Sequence, residues 1–277
     1  MIWNELDPEN TVYLELEGGT VVIQLNPVFA PKTVKQFKRL LEEQFYRGRS
    51  FYRVIDGFVA QAGDESDVEG GHTEPFLQAE FEIDWPLKPK DKELRKDWLP
   101  MSWTPVQKED LFAPYTGFID GFAAARDSKK EGKAWLTHCP GVIAMARDNE
   151  PDTGSTDFYI VIGQAPRYLD RNLTIFGRVV WGMDIVQRIN RGPVRGPTPG
   201  SGMIEKDLDR TWIKRMRMAT DFEPQDQYDI LIADTNTNAF KKTLRDRRNR
   251  THKFFHKKPP RVLDVCQVPV PARFEKK

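Results

Sequence analysis

The sequence predicts a mainly β fold, an antiparallel β-barrel capped by two helices. Several short strand-like runs, two helical segments in the body of the chain and no strand–helix–strand alternation lead to this prediction. The composition, 39% hydrophobic and 30% charged residues, is ordinary for a globular protein. No apolar run approaches the roughly 18 residues that a membrane-spanning helix needs, so no membrane span is expected.

The first elements of the barrel are expected between residues 11 and 61. Residues 11–25 contain two β-branched, partly alternating runs around a Gly-Gly pair, a pattern typical of a β-hairpin. Residues 32–47 carry apolar side chains at helical spacing, and Gly48 is a helix stop signal. Residues 50–61 are again strand-like and rich in aromatic side chains.

The pattern weakens over approximately residues 65–138. This segment contains six prolines and clusters of charge. We therefore expect a long, irregular insertion with one short strand near residues 76–83. A loop of that length inside a compact domain is uncommon and usually functional.

Regular structure is expected again in the second half of the chain. Residues 183–190 resemble a short helix that ends before Gly192, residues 191–202 a Gly/Pro-rich linker, and residues 237–252 a polar surface helix. Short strands are predicted at residues 141–146, 158–162, 174–180 and 211–220.

The net charge of +1 conceals a strong asymmetry along the chain. From Phe240 onwards there are 13 basic and 3 acidic side chains, whereas the preceding residues have 29 and 38. Three explanations stay open: the tail binds an anionic partner such as nucleic acid or a membrane, forms a solvated helix, or docks on the acidic body of its own chain. The apolar, proline-bounded residues 261–273 favour docking on the chain itself.

Only two cysteines are present, Cys139 and Cys266. Two free, mostly buried thiols are the favoured interpretation, and a disulfide, which requires an oxidising compartment, is the alternative.

His252 and His256 are four residues apart, a spacing that can bind zinc. Lysines surround them without a nearby carboxylate, so we expect no metal site.

Two segments carry a far more specific pattern. Residues 51–64 read Phe-Tyr-Arg-Val-Ile-Asp-Gly-Phe-Val-Ala-Gln-Ala-Gly-Asp. The second segment begins with Pro-Gly-Val-Ile-Ala-Met-Ala-Arg at residues 140–147 and continues with Thr-Gly-Ser-Thr-Asp-Phe-Tyr-Ile, Tyr-Leu-Asp and Ile-Phe-Gly-Arg-Val. Together these segments resemble the cyclophilin family of peptidyl-prolyl cis–trans isomerases, over roughly residues 11–192. The family's corresponding motifs are Phe-His-Arg-Ile-Ile-x-Gly-Phe-x-x-Gln-Gly-Gly-Asp and Met-Ala-Arg…Ser-Gln-Phe-Phe-Ile.

The resemblance implies a closed, eight-stranded antiparallel β-barrel with two capping helices. Residues 11–220 would form this isomerase domain, interrupted by the insertion at approximately 65–138. Residues 221–277 would form a basic C-terminal extension that packs on the domain. The insertion and the extension resemble those of exported bacterial members.

The implied activity is acceleration of rotation about X–Pro peptide bonds. Amide resonance gives the C–N bond double-bond character and a rotation barrier of about 18–20 kcal/mol. A catalyst must therefore bind the twisted amide more tightly than the planar one. As the bond twists, the prolyl nitrogen regains a lone pair, and a guanidinium aimed at it can donate a hydrogen bond. Arg53 matches the family's catalytic arginine and would take this role.

The resemblance also assigns the other site residues. Phe58 and Gln61 join Arg53 as catalytic residues, and Gln61 would hydrogen-bond the substrate backbone. The remaining matched positions are expected to bind the peptide: Val59, Ala146, Arg147, Asp157, Tyr159, Tyr168, Leu169 and Leu173.

Several of these residues depart from the family's usual choice. Asp157 replaces a glutamine, and it could pair with Arg53 to orient it, or hold it away from the peptide. The other departures are Val59 for methionine, Tyr159 for phenylalanine, Tyr168 for tryptophan and Leu173 for histidine.

Two functions therefore stay open for the chain. The first is an isomerase that assists folding, and the second is a peptide-binding or chaperone module that uses the same groove with little turnover. Proline-containing peptides and unfolded or folding proteins are the expected partners; nucleic acid is not. No cofactor is expected, and the chain is expected to be monomeric.

Periplasmic residence is the expected location, with the cytoplasm as the alternative. The expectation rests on the resemblance to exported bacterial members and supposes a leader before Met1. Residues 1–7 themselves lack the basic start and the apolar stretch of a signal peptide.

Overall fold

The computed structural model describes residues 1–65, 74–87, 101–193 and 201–275, which fall into two compact units. The larger unit contains Leu6–Phe81 and His138–Tyr228. The smaller unit is assembled from three stretches, Met1–Glu5, Glu82–Thr137 and Asp229–Lys277. Most of the predicted insertion and most of the predicted extension therefore belong to one unit, a grouping that the sequence did not indicate.

The helices are α1 (Pro31–Glu42), α2 (Met183–Val186) and α3 (Asn238–Asn249). The strands, in chain order, are β1 (Trp3–Glu5), β2 (Thr11–Leu16), β3 (Gly19–Leu25), β4 (Ser50–Ile55), β5 (Val59–Ala62), β6 (Ile83–Trp85), β7 (Trp103–Lys108), β8 (Tyr115–Ile119), β9 (Phe122–Arg126), β10 (Gly132–Leu136), β11 (Val142–Met145), β12 (Phe158–Val161), β13 (Ile175–Trp181), β14 (Thr211–Trp212), β15 (Arg215–Met218), β16 (Ile230–Ala233) and β17 (Ala272–Phe274).

The larger unit is built on one antiparallel sheet with the order β14-β4-β5-β12-β11-β13-β3-β2-β15. Its two outermost strands are neighbours in the chain. Between them, the Ile213 amide donates to the Arg49 carbonyl at 2.8 Å and the Lys214 amide donates to the Glu15 carbonyl at 2.9 Å. Counted as one bent strand, residues 211–218 join both edges of the sheet and give the expected eight strands.

Local patterns predicted most of this barrel correctly. The hairpin expected at residues 11–25 is β2–β3, in which Leu16 pairs with Gly19. The helix expected at residues 32–47 is α1, whose buried side chains include Phe37. The Phe37 ring packs at centroid distances between 5.0 and 5.9 Å against a group of buried aromatic side chains, Tyr46, Phe158 and Phe176.

The N-terminus of α1 is capped by a distant carboxylate. Ala30 precedes the helix and offers no capping side chain. Glu80 supplies the cap, because its Oε1 accepts from the Lys32 amide and its Oε2 from the Thr33 amide, each at 2.9 Å. Two backbone donors that every helix leaves open are thereby satisfied, and the negative charge lies at the positive end of the helix dipole.

The expectation of an irregular insertion is wrong for its described residues in the smaller unit. Residues 83–85 and 103–136 form a five-stranded antiparallel sheet in the order β6-β10-β9-β8-β7. Its prolines obscured the pattern: Pro105 lies within β7, where it is tolerated because β7 is an edge strand. On this sheet, the Arg126 guanidinium lies over the rings of Trp103 and Trp85, at 4.0 and 4.8 Å from their centroids.

The basic tail packs within the same unit. The predicted surface helix is α3, whose start is capped by the Thr237 hydroxyl, which accepts from the Phe240 amide at 3.2 Å. Phe240 is buried edge-on against Phe118 of β8 at 5.5 Å, and the Leu263 amide donates to Gln107 Oε1 at 3.1 Å. The tail was expected to lie on acidic surface, whereas these described contacts to the insertion are apolar or hydrogen-bonded.

Two further expectations concern the cysteines and the membrane. Both cysteines are disulfide-bonded, so the favoured expectation of free thiols is wrong. Among the helices of the described ranges, none has the length and hydropathy needed to span a membrane.

Candidate active site

Two of the three predicted catalytic residues, Arg53 and Gln61, lie in one row across adjacent strands of the barrel, and the third, Phe58, immediately precedes β5. Arg53 on β4 pairs with Gln61 on β5, Gln61 pairs with Tyr159 on β12, and Tyr159 pairs with Ala144 on β11. The register of β4 shifts between Phe51 and Arg53. A bulge of this kind changes the direction of a side chain, and here the Arg53 Nη1 donates to Gln61 Oε1 at 3.0 Å.

A second hydrogen bond also fixes the Arg53 guanidinium. Its Nε donates to the Ser201 carbonyl at 2.9 Å. Residues 201–204 run along β4, because the Val54 amide donates to the Gly202 carbonyl at 2.7 Å and the Ile204 amide to the Tyr52 carbonyl at 2.8 Å. This stretch ends the segment that was predicted to be a linker. Sequence reasoning missed it because the contact uses a backbone carbonyl and leaves no side-chain signature.

The Arg53 guanidinium keeps a donor available for a substrate. Arg53 is half-buried, and this burial lowers the pKa of its guanidinium. Within the described part of the chain, its Nη2 has no hydrogen-bond partner. The side chain is therefore fixed at Nε and Nη1 while Nη2 can still donate.

Asp157 is linked to Arg53 through two intermediate side chains. Gln61 Nε2 donates to the Tyr52 hydroxyl at 2.6 Å, and that hydroxyl donates to Asp157 Oδ2. Burial, reinforced by the Asp157 carboxylate, raises the pKa of the Tyr52 phenol above its usual range. The phenol therefore stays protonated and continues to donate.

Gly63 permits the close approach of Asp157 to β5. Its φ of +148° lies in a region that other residues rarely adopt, and a Cβ there would lie 2.6 Å from the Asp157 Cα. Glycine is therefore needed at this position for the buried carboxylate to reach Tyr52.

Tyr159 is anchored by a buried polar network. Its hydroxyl lies 2.8 Å from His138 Nε2, and the His138 Nδ1 lies 3.1 Å from Asp170 Oδ1. Asp170 Oδ2 also accepts from Arg167 Nε at 2.6 Å. Because a carboxylate facing Nδ1 requires a proton there, the tautomer that suits this network accepts at Nε2 from the Tyr159 hydroxyl. Burial raises the pKa of that hydroxyl.

In the sequence, His138 has no partner at a metal-ligand spacing, and its hydrogen bonds were not anticipated. The partners are distant in the chain, and no short motif marks them. Asp170 does lie within the Tyr-Leu-Asp segment that carries the resemblance. That segment was the one available signal for this network.

The Ala146–Arg147 segment is tied to the barrel by its own hydrogen bonds. The Ala146 amide donates to the Asp157 carbonyl at 2.8 Å. Arg147 donates from Nε and Nη2 to the Asn172 carbonyl, at 3.0 and 2.8 Å. The Arg147 guanidinium therefore braces surrounding loops, and its role in peptide binding stays a prediction.

The remaining predicted site residues differ in exposure. Val59 is buried on β5, whereas Tyr168 is 66% exposed on the turn at Arg167–Leu169. Exposure at this position suits the rim of a groove. The other three are half-buried: Phe58, Leu169 and Leu173.

Comparisons with known proteins agree with this geometry. Residues 11–207 match the family model described as cyclophilin type peptidyl-prolyl cis-trans isomerase/CLD. A probable peptidyl-prolyl cis-trans isomerase of Brucella suis is 31% identical over 198 residues, which cover 67% of this chain and 74% of the relative. The peptidyl-prolyl cis-trans isomerase-like 1 of Mus musculus is 28% identical over 179 residues, covering 64% and 78%.

A solved structure extends the similarity beyond the family segment. The cyclophilin AquaCyp293 from Hirschia baltica is 28% identical and superposes with a TM-score of 0.74, covering 99% of this chain and 94% of its own. Taken with the match to the family model over most of the chain, these similarities show that the chain belongs to the cyclophilin-type peptidyl-prolyl cis–trans isomerase family.

Proposed function

We propose that the chain accelerates cis–trans rotation of X–Pro bonds in protein clients, with Arg53 as the group that stabilises the twisted amide. The observation that carries the proposal is the state of this guanidinium, half-buried and fixed at Nε and Nη1. Its Nη2 donors are uncommitted among the described residues. A fixed donor beside a groove is what stabilisation of a rotating amide requires.

The chemistry follows from the twisting of the amide. The planar X–Pro bond offers no nitrogen lone pair to a donor, whereas the twisted bond does. Hydrogen bonding from Arg53 to the prolyl nitrogen is therefore stronger in the transition state than in either ground state. Partial burial strengthens this interaction, because less water competes for the guanidinium.

The neighbouring residues take supporting roles in this proposal. Gln61 already accepts from Arg53 and donates one amide proton to Tyr52, so its other proton is assigned to a substrate carbonyl. Val59 and the anchored ring of Tyr159 supply a buried apolar wall for the proline ring. The exposed Tyr168 forms the rim. Proline-containing segments of unfolded or folding proteins are the proposed substrates.

A peptide-binding module with little turnover is the competing function. It was motivated by Asp157 and Leu173, which depart from the family's residues. Asp157 Oδ2 accepts from the Tyr52 hydroxyl and Oδ1 from the Thr156 hydroxyl at 3.3 Å, and neither bond involves Arg53. This weakens one of the two motivations for the module.

The experiment measures isomerisation of a short X-Pro peptide by NMR exchange, for the wild type, Arg53→Ala and Arg53→Lys. We expect the wild type to exceed the background rate and Arg53→Ala to lose about a hundredfold in kcat/KM, the usual effect of removing one transition-state donor. Arg53→Lys is also expected to be impaired, because an ammonium lacks the planar fork that contacts Gln61 and Ser201 together. Arg47→Ala removes an exposed arginine and is the matched control.

Two outcomes would contradict the proposal. A wild-type rate equal to background would exclude the isomerase, and unchanged activity in Arg53→Ala would exclude the role of Arg53. Peptide binding without turnover would instead support the binding module.

We also propose that the protein resides in the periplasm. Both cysteines are disulfide-bonded, and disulfides persist in oxidising compartments. Fractionation of the native cells tests this. The protein is expected in the periplasmic fraction, with both cysteines oxidised and unreactive toward thiol reagents. Recovery in the cytoplasm with two reactive thiols would overturn it.

A further inference from the structure

We propose that Tyr52 and Asp157 are positioning residues for the isomerisation, which fix the Gln61 amide and, through it, the Arg53 guanidinium. The inference rests on the proposed function, because it concerns the orientation of the same guanidinium. Neither residue needs to contact the substrate for this role.

The hydrogen bonds of this group run in a single direction. Arg53 donates to Gln61 Oε1, Gln61 Nε2 donates to Tyr52, and Tyr52 donates to Asp157. Arginine can only donate and a carboxylate can only accept, so the two ends determine every bond between them. Rotating the Gln61 amide by half a turn would bring its NH2 against the Arg53 donors. Tyr52 and Asp157 thus select the amide orientation that accepts from Arg53.

The series of hydrogen bonds from Arg53 to Asp157 is fixed firmly at its Asp157 end. Tyr52 and Asp157 are both buried, and they lie on β4 and immediately before β12. The Asp157 carbonyl accepts from the Ala146 amide at 2.8 Å, and Asp157 packs so closely on Gly63 that a Cβ added there would lie 1.9 Å from Asp157 Oδ1. Buried hydrogen bonds in series polarise one another. The carboxylate at one end of the series therefore strengthens the hydrogen bond that the guanidinium makes at the other end.

Two departures from the family's motifs are explained as one pair. Tyr52 occupies the position of histidine in the motif that the first segment resembles, and Asp157 occupies the position of glutamine. In this chain the two side chains are directly hydrogen-bonded. A tyrosine hydroxyl that must donate and a carboxylate that must accept form a matched pair, so each substitution accounts for the other.

The consequence for catalysis lies in orientation. An unrestrained arginine samples many rotamers, of which few direct Nη2 at a prolyl nitrogen. The contacts to Gln61 and to the Ser201 carbonyl define the plane of the guanidinium before a peptide binds. Loss of the Gln61 contact leaves the single bond to Ser201, about which the guanidinium can turn.

The test compares Tyr52→Phe and Asp157→Asn with the wild type, with kcat and KM measured separately by NMR exchange. We expect kcat to fall about tenfold, because the donor is misdirected, and KM to stay within about twofold. Tyr46→Phe is the matched control: it removes another buried hydroxyl, which donates to the Thr156 carbonyl at 2.7 Å, and it should leave kcat unchanged. Thermal unfolding of each variant verifies that it is folded at the assay temperature.

Two further readouts separate positioning from a general structural effect. In a Gln61→Ala background, Tyr52→Phe should cause no additional loss of kcat, because the link it acts through is already missing. The side-chain NMR signals of Arg53 should show faster rotation of the guanidinium in Tyr52→Phe than in the wild type or Tyr46→Phe.

The outcomes distinguish this inference from the proposed function. If the wild type is active and depends on Arg53 but Tyr52→Phe and Asp157→Asn retain full kcat, the positioning role is wrong and the isomerase stands. An equal loss of kcat from Tyr52→Phe with and without Gln61 would also overturn it. A wild type without turnover refutes the proposed function itself.

Discussion

Replacing Tyr159 with phenylalanine should destabilise the protein by an amount that depends on pH. Near neutral pH the wild type is expected to be more stable by about 1–3 kcal/mol, because the variant leaves the buried His138 Nε2 without its hydroxyl partner. The ring itself stays in place, so the loss comes from the missing hydrogen bond alone. No cavity larger than one oxygen atom is created.

Raising the pH should then reduce the difference in free energy of unfolding between the wild type and Tyr159→Phe. Burial raises the pKa of Tyr159 in the folded protein, whereas the unfolded chain ionises with the ordinary phenol pKa of 10.0. The hydroxyl therefore stabilises the fold fully below that value, and the contribution is lost as the pH rises toward the folded pKa. Proton linkage gives a loss of about 0.4 kcal/mol at about pH 10 and about 1.4 kcal/mol at about pH 11.

Urea unfolding followed by tryptophan fluorescence measures the gap between wild type and variant at a series of pH values. Groups common to both proteins cancel in this difference. Tyr168→Phe removes an exposed hydroxyl and is the matched control, for which the gap should stay level. A difference for Tyr159→Phe that is equally constant from about pH 8 to about pH 11 would refute the raised pKa of the buried hydroxyl.

Two further predictions concern stabilising contacts inside each unit, one in the larger and one in the smaller. Glu80→Ala should destabilise the larger unit by about 1 kcal/mol, because α1 loses its N-terminal cap. Glu80→Gln should recover part of this loss, as measured by urea unfolding. Equal stability of the wild type and both variants would contradict the capping role of Glu80. Phe240→Ala should cost the smaller unit about 3–5 kcal/mol, since the ring is buried against Phe118, and an unchanged unfolding midpoint would show that α3 does not contribute to that core.

The elements that could be predicted were those with a local signal. The hairpin at residues 11–25 and the helix at residues 32–47 have clear periodicity, and periodicity is a property of neighbouring residues. The five-stranded sheet of the smaller unit was missed because prolines such as Pro105 interrupt the alternation of its strands. The sheet also packs against Phe240, a contact that cannot be read from the insertion itself.

The site divides in the same way. Arg53 and Gln61 were assigned through the resemblance, and the register of β4 and β5 brings them together. The Ser201 carbonyl and the pairing of His138 with Tyr159 depend on how distant segments meet, which no spacing in the sequence encodes. Tyr52 was overlooked because a tyrosine in a strand is ordinarily a core residue.

The three-stretch construction of the smaller unit has a consequence for synthesis on the ribosome. Residues 82–137 emerge well before Phe240, so the nascent sheet exposes the apolar surface around Phe118 to solvent until the later residues follow. The larger unit cannot join the edges of its own sheet until residues 211–218 have been made. Residues 211–218 precede residue 274, so all strands of the barrel have been made before β17 of the smaller unit is available. During that interval the growing chain is itself partly folded and prone to aggregation through this exposed apolar surface.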